Sequence, residues 1–106
     1  MDPIINKLKI NFNTEINGSE IICSMNGKID TIASQEIENE LSEIDFKGKS
    51  LCFDIQNVEY ISSAFLRICV KMSKTVGQNN FKLVNVKPEL KKVLKIAGLD
   101  TLLKTD

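Results

Sequence analysis

The chemistry that this chain offers is concentrated in residues 54–67, which read Asp-Ile-Gln-Asn-Val-Glu-Tyr-Ile-Ser-Ser-Ala-Phe-Leu-Arg. An apolar strand is predicted to end near Asp54, and a short loop then leads to Ser62 and Ser63 at the start of an apolar helical run. Free backbone N–H groups and the positive end of the helix dipole favour a phosphate group at such a position. Two hydroxyl groups placed there make this segment the candidate functional site.

The residue types that the sequence lacks exclude most enzymatic chemistry. Histidine is absent, which removes Ser-His-Asp and Cys-His catalysis and most transition-metal sites. Cys23, Cys52 and Cys69 form neither a CxxC pair nor a zinc pattern, and each lies in an apolar segment, so we expect buried thiols. The sequence also lacks a Gly-rich phosphate loop and clustered carboxylates. We therefore expect no catalytic residue, metal or cofactor. A small enzyme or nucleotide-binding protein is kept as an alternative hypothesis.

Charge and hydropathy limit the classes of partner. Lys plus Arg number 14 and Asp plus Glu number 14, and a net charge of zero argues against direct nucleic-acid binding through a broad basic field. No apolar run is long enough to span a bilayer, and the N-terminus lacks the pattern of a signal peptide. With 42% apolar residues, the composition is typical of one globular domain, residues 1–106. We expect a cytoplasmic protein that does not insert into membranes.

Hydrophobic periodicity predicts the elements that position the two serines. Strands are predicted over residues 7–13, 20–26, 50–55 and 81–86, and helices over about 31–43, 62–77 and 88–98. Asn17-Gly18 predicts a hairpin, and Gly27 is expected to turn the chain out of the sheet. The order β-β-α-β-α-β-α predicts an α/β fold, with a mostly parallel or mixed sheet and helices packed on it.

Each polar residue of the candidate site also has an ordinary structural interpretation. Serine is a preferred N-cap, so Ser62 or Ser63 could do no more than bind a free N–H of the first helical turn. Asp30 could likewise be a helix cap, and Asp54 could cap a loop N–H at a strand end. A basic stripe on the second helix is most simply a solvated face: Arg67, Lys71 and Lys74.

Three motifs, in order along nearly the whole chain, resemble the STAS domain family, whose best-known members are bacterial anti-sigma factor antagonists. The family segment D-L-x-x-V-x-Y-I/M-D/S-S-S/T/A-G-L is matched by Asp54, Ile55, Val58, Tyr60, Ile61, Ser62, Ser63, Ala64 and Leu66. The upstream element G-x-[LI]-D-x-x-[TA] is matched by Gly27, Ile29, Asp30 and Ala33. The downstream elements are matched by Pro88 and by residues 94–99.

The resemblance implies a STAS-like fold and a protein-binding switch rather than an enzyme. Ser63 aligns with the serine that is phosphorylated in the antagonists. The implied partners are an anti-sigma factor that is also a serine kinase, which releases the antagonist on phosphorylation, and a phosphatase that reverses the mark. The implied partner-binding residues are Asp30, Asp54, Ser62, Ser63, Ala64, Phe65 and Arg67.

Two positions depart from the family pattern. Ser62 takes the place of an aspartate that is common beside the phosphorylated serine, although serine is also frequent there, and Phe65 replaces the usual glycine. We expect Phe65 to be an exposed aromatic residue at the start of the helix, where it could anchor a partner. This expectation favours the alternative function, a STAS scaffold in a protein assembly or transporter-associated complex that is not phosphorylated. The sequence leaves the oligomeric state open.

Overall fold

The structure, a computed structural model, describes residues 12–102, and it confirms the α/β fold and the order β-β-α-β-α-β-α. The strands are β1 (Phe12–Asn17), β2 (Glu20–Ile29), β3 (Ser50–Ile61) and β4 (Phe81–Val84). The helices are α1 (Thr31–Leu41), α2 (Ser63–Val76) and α3 (Pro88–Ile96), and two short 3₁₀ turns span Gln78–Asn80 and Asp100–Leu102.

The four strands form one mixed sheet in the order β1-β2-β3-β4. The hairpin partners β1 and β2 are antiparallel, whereas β2, β3 and β4 are parallel to one another. Each parallel connection therefore requires a crossover, which α1 and α2 supply. Because the carboxyl ends of β2 and β3 lie side by side, the helices that follow them begin at the same edge of the sheet.

The hairpin is confirmed, but the predicted end of the first strand is wrong. Asn17 pairs with Glu20, and Gly18 has a φ of 65°, which the short turn requires. Residues 7–11 of the predicted strand lie outside the described residues. In the described part of the chain, β1 continues beyond Asn13 as far as Asn17.

The central strands extend well beyond their predicted ends. The chain does not leave the sheet at Gly27, because β2 continues to Ile29. Gly27 has a φ of 87° and lies beside register shifts that mark a bulge in the strand. The short loop predicted after Asp54 is also wrong, because β3 continues to Ile61 and stays paired with β2. Val84 ends β4 two residues early, since Asn85 adopts a left-handed φ of 58°.

The helix ends follow the sequence signals closely. Asp30 caps α1, Ser62 caps α2, and Gly77 ends α2 with a φ of 97°. Pro88 lies at the first position of α3. Beyond its last turn the N–H of Gly98 donates to Lys95 O and the N–H of Leu99 to Leu94 O, a Schellman motif that satisfies the free carbonyls. After Gly98, Leu99 packs against the core and Leu102 is buried.

A cluster of three phenylalanines joins the sheet to α2. Phe53 in β3 lies with its ring centroid 5.1 Å from that of Phe81 and 5.9 Å from that of Phe65. All three side chains are buried, with at most 1% exposed. Burial of three large rings and their tilted and edge-on contacts make this cluster a major source of stability.

The three cysteines are confirmed as free, buried thiols. Desolvation raises the pKa of Cys23 from 9.0 to about 11, and the pKa of the fully enclosed Cys69 is raised further. A buried thiol with a raised pKa is protonated and therefore a poor nucleophile. The cysteines act as small apolar residues of the core.

We expect the free energy of unfolding to fall as pH rises from about 9 to about 11. The folded-state pKa of Cys23 exceeds its unfolded value, so the unfolded chain loses the proton first, and the stabilisation is complete only below about 9. Urea unfolding at a series of pH values measures this. The decline should be shallower in Cys23→Ala, and equal slopes for the two proteins would disprove the assignment.

Candidate functional site

The candidate site is built from two equivalent strand-to-helix junctions. Ile29 and Ile61 are paired at the ends of β2 and β3. Asp30 then caps α1, its Oδ1 accepting the N–H of Ala33 at 2.8 Å. Ser62 caps α2 in the same way, its Oγ accepting the N–H of Phe65 at 3.2 Å. The first turns of two helices thus lie next to each other at one edge of the sheet.

Ser62 is a structural residue of this junction. Its side chain is buried, and its N–H donates to Ile29 O at 3.0 Å, which ties the start of α2 to the end of β2. Its Oγ also lies 3.2 Å from the Oγ of the buried Ser34 in α1. The hydroxyl of Ser62 therefore has two partners inside the protein and is screened from solvent.

Ser63 is the first residue of α2 and is exposed. Unlike Ser62, it is not the residue that caps the helix. Arg67 lies four residues later and is also exposed, so both side chains lie on the same face of the helix. Ala64 between them is partly buried. Of the two adjacent serines, the structure presents the hydroxyl of Ser63 to solvent.

The expected exposed aromatic residue is wrong, because Phe65 is fully buried. The α2 helix turns this side chain inward, against Phe53 of the central strand. A buried ring cannot anchor a partner, so Phe65 contributes to the site only by holding the first turn of α2 on the sheet. The bulk in place of the family's glycine fills the core of this chain.

Asp54 does not join the other predicted site residues. It lies seven positions before Ile61 in β3, which corresponds to about 23 Å along an extended strand. Its Oδ1 accepts the N–H of Gln56 at 3.1 Å and the side-chain amide of Asn85 at 3.1 Å. Asp54 therefore links β3 to the loop after β4, at a distance from the two helix starts.

Comparison with known families decides what kind of domain carries this site. The STAS domain family matches residues 11–106, which is nearly the whole chain. This chain belongs to the STAS domain family. The four-stranded mixed sheet and three helices are the STAS fold.

Relatives of this STAS domain include anti-sigma factor antagonists. The chain is 30% identical over 87 residues to BtrV of Bordetella bronchiseptica, which is named as a candidate anti-sigma factor antagonist; the match covers 79% of this chain and 74% of the relative. An anti-sigma factor antagonist from Mycobacterium paratuberculosis has the same fold, with a TM-score of 0.77, 22% identity and coverage of 90% and 83% of the two chains.

The anti-sigma factor antagonist SpoIIAA has also been solved with this fold. Its unphosphorylated form superimposes with a TM-score of 0.73, and its phosphorylated form, from Bacillus, with a TM-score of 0.67. Sequence identity is 16% for both; the first match covers 88% and 85% of the two chains, and the second covers 88% of each. At this identity the likeness shows the fold of the STAS domain alone.

Three residues at this edge of the STAS domain were missed by sequence reasoning. Ser34 is a polar residue on the buried face of α1, between Ala33 and Ile37, and that position was the signal that it has a specific partner. Two apolar side chains are unusually exposed, Ile32 at 57% and Tyr60 at 50%. Both adjoin the junctions, since Ile32 lies in the first turn of α1 and Tyr60 precedes Ile61.

Away from the two junctions, the described residues line an open cleft and bring no cluster of metal ligands together. An open cleft of about 650 Å³ lies at the opposite ends of the strands, lined by Ser19, Phe46, Lys47, Gly48, Ser50 and Thr75 among others. It contains none of the predicted site residues. Within residues 12–102, no group of three or more metal-ligating side chains comes together. Nor does any helix in that range combine the length and apolar character needed to cross a bilayer.

We expect Ser62→Ala to lower the free energy of unfolding by about 2 kcal/mol. Loss of the cap costs ~1 kcal/mol, and the buried Ser34 hydroxyl loses its partner. Ser63→Ala, the matched control one residue later, should change stability by under ~0.5 kcal/mol, because Ser63 is exposed. Urea unfolding of the two variants provides the measurement. Equal losses would contradict the distinct roles of the two serines.

Because Ser34 and Ser62 share one contact, their effects should not add. We expect the double variant Ser34→Ala/Ser62→Ala to lose less stability than the sum of the single variants, by ~1 kcal/mol. A double-mutant cycle measured by urea unfolding gives this coupling directly. Strict additivity would show that the 3.2 Å hydroxyl contact contributes nothing.

Proposed function

We propose that this protein is an anti-sigma factor antagonist of the cytoplasm, a binding switch controlled by phosphorylation of Ser63. In the unmodified state it binds an anti-sigma factor that is also a serine kinase. Phosphorylation of Ser63 by that kinase releases it, and a phosphatase restores the unmodified protein. The chain itself catalyses no step, since the kinase supplies ATP and the catalytic base.

The observation that carries the proposal is the division of roles between adjacent serines. The Ser62 hydroxyl is buried and hydrogen-bonded, so a kinase has no access to it without opening the junction. The Ser63 hydroxyl is exposed at the first position of α2. The site therefore offers the Ser63 hydroxyl for modification, at a helix start that the hydrogen bonds of Ser62 fix to the sheet and to α1.

The fold tolerates a phosphate at this position for electrostatic reasons. Phosphorylation adds roughly −1.5 to −2 charges at neutral pH. At the first residue of α2 those charges meet the positive end of the helix dipole and free backbone N–H groups. Arg67 is exposed one turn further along the same face, and we expect it to donate a charge-assisted hydrogen bond to the phosphate. The phosphorylated protein should stay folded.

A partner that fits the unmodified surface does not tolerate the same phosphate. Ile32 and Tyr60 give the edge beside Ser63 an apolar character that suits protein contact. A partner packed over a neutral hydroxyl there excludes water. Once Ser63 is phosphorylated, the interface would enclose a dianion with unpaired oxygens, which costs several kcal/mol of binding free energy.

The relatives support this assignment by their names. BtrV is named as a candidate anti-sigma factor antagonist, and SpoIIAA, an anti-sigma factor antagonist, has been solved in unphosphorylated and phosphorylated forms. Phosphorylation in this structural class is compatible with the STAS fold. We extend that behaviour to Ser63 of this chain.

The alternative function, an unphosphorylated STAS scaffold, was favoured by one expectation. That expectation was an exposed Phe65 acting as a contact residue, and Phe65 is buried in the core. Since Phe65 gives the scaffold no support, we propose the switch alone.

The experiment is a phosphorylation assay with serine kinases from the same genome and ATP, read by intact mass. We expect one phosphate on the wild-type protein, none on Ser63→Ala, and one on Ser62→Ala. The Ser62 variant is the matched control, because it removes the neighbouring hydroxyl and leaves the target. Failure of every such kinase to modify the wild-type protein, or incorporation that persists in Ser63→Ala, would overturn the proposal.

A further inference from the structure

One flank of α1 is an exposed acidic surface with an apolar residue at its end. Ile32, Glu36, Glu40 and Glu43 follow one another at spacings of four, four and three residues, so they line one side of the helix and the turn after it. Glu40 and Glu43 are exposed, as is 57% of Ile32. This α1 acidic surface faces away from α2, which Glu38 on the other flank contacts through Lys71.

The α1 acidic surface carries charge that is not compensated. Within residues 12–102, none of its three glutamates is in an ion pair. The Oε1 atom of Glu36 is screened from solvent and has no hydrogen-bond partner among the described residues. Glu40 and Glu43 are exposed, so these are the two carboxylates that a cation from another molecule can reach.

The exposed side of α3 has the opposite charge and a similar apolar component. Its surface residues include Lys91, Lys92, Lys95 and Ile96, against a single acidic residue, Glu89. Ile96 is 87% exposed and Val93 38%, whereas Leu90 and Leu94 face the core. No ion pair forms at these lysines within the described part of the chain. We call this set the α3 basic surface.

We propose that the α3 basic surface of one copy docks on the α1 acidic surface of a second copy. We infer a second copy as the binding partner because the two surfaces are complementary. Each surface combines an exposed isoleucine with charges of one sign, and the signs of the two surfaces are opposite. In a chain with zero net charge, 14 cationic and 14 anionic side chains, such a separation of charge favours head-to-tail contact. Because the contact is heterologous, it leaves one free surface at each end, and association can continue.

This association shares one residue with the proposed switch, since Ile32 belongs to the α1 acidic surface and also lies on the apolar edge beside Ser63. Ser63, Ser62 and Arg67 lie outside both surfaces, and the two proposals are tested by different measurements, so the failure of one leaves the other standing. Self-association would bring several Ser63 sites together in one assembly.

The test is sedimentation velocity of the full chain over a range of protein concentrations. At about 0.1 M salt we expect the average mass to rise with concentration, and at about 1 M salt, where screening is nearly complete, we expect monomer. The variants Lys92→Glu/Lys95→Glu and Glu40→Lys/Glu43→Lys should each weaken association at least ~10-fold, because each reverses two exposed charges at one contact. Circular dichroism and urea unfolding check that each variant is folded.

A mixture of the two charge-reversal variants gives the decisive measurement. Each variant alone repels itself, but a mixture restores opposite charges at every contact, so we expect the equimolar mixture to associate again. Lys28→Glu/Lys74→Glu carries the same charge change outside both surfaces and should behave as wild type. A wild-type protein that stays monomeric at low salt, a mixture that stays monomeric, or a control that dissociates equally would overturn the proposal.

Discussion

A phosphate on Ser63 is expected to lower the affinity for the anti-sigma partner at least ~100-fold, which corresponds to ~2.7 kcal/mol of binding free energy. The cause is the dianion and its unpaired oxygens inside an interface fitted to a neutral hydroxyl. Isothermal titration of the partner with unmodified and phosphorylated protein measures the loss. Ser63→Asp should reproduce part of it, since aspartate carries less charge and fewer oxygen atoms.

The same phosphate should leave the domain stable. Negative charge at the first residue of a helix contributes ~0.3–1 kcal/mol of stabilisation. Thr31 holds the equivalent position in α1, so Thr31→Asp is the matched control for Ser63→Asp. Both variants should unfold at the same urea concentration as wild type or at a slightly higher one. A loss of binding accompanied by an equal loss of folded protein would show that the phosphate acts by unfolding, which contradicts a switch.

Replacing Phe65 with the family's usual glycine is expected to cost about 4–6 kcal/mol of stability. Removing a buried phenylalanine side chain costs ~3–5 kcal/mol, and glycine within a helix adds ~1 kcal/mol. The ring of Phe65 packs on Phe53 and is fully buried. A loss of this size is a large part of the total stability of a small domain, so Phe65→Gly should be partly unfolded at room temperature.

Ala64→Gly separates the two causes. It introduces glycine one residue earlier in the same turn and removes only a partly buried methyl group, so we expect a loss of ~1 kcal/mol. Urea unfolding of both variants is the measurement. Similar losses for Ala64→Gly and Phe65→Gly would mean that Phe65 is not the packing residue described above.

The fold could be predicted from the sequence wherever local chemistry determined the structure. Asp30 was recognisable as a helix cap and Ser62 or Ser63 as another, Gly77 and Gly98 as helix ends, and Asn17-Gly18 as a hairpin turn. Each of these depends on a hydrogen bond or a backbone angle that involves only neighbouring residues. The order of elements followed from them.

The length of β3 could not be predicted, because its second half lacks the period of a strand. Ile55, Val58 and Ile61 are buried at intervals of three residues, whereas regular strands bury every second residue. The register shifts against β2 account for the difference, since bulges turn the strand as it proceeds. Such irregularities depend on the neighbouring strand and leave no simple pattern in one sequence.

The candidate site was predicted in part. Both serines were located, and the structure separates their roles by burial, which no local rule could do. The direction in which Phe65 points was wrong, since it is set by the position of Phe53 in the sheet. The contact between Ser34 and Ser62 joins two helices that are 28 residues apart in sequence, so only the tertiary structure reveals it.

The most direct test of the switch compares the protein in its bound and free fractions from cells. Size-exclusion chromatography of a native extract separates the protein that travels with a partner from the protein that travels alone, and intact mass with site mapping reads each fraction. We predict an unmodified chain in the bound fraction and a chain with one phosphate on Ser63 in the free fraction. Equal phosphorylation of the two fractions, or a phosphate confined to another residue, would contradict the account.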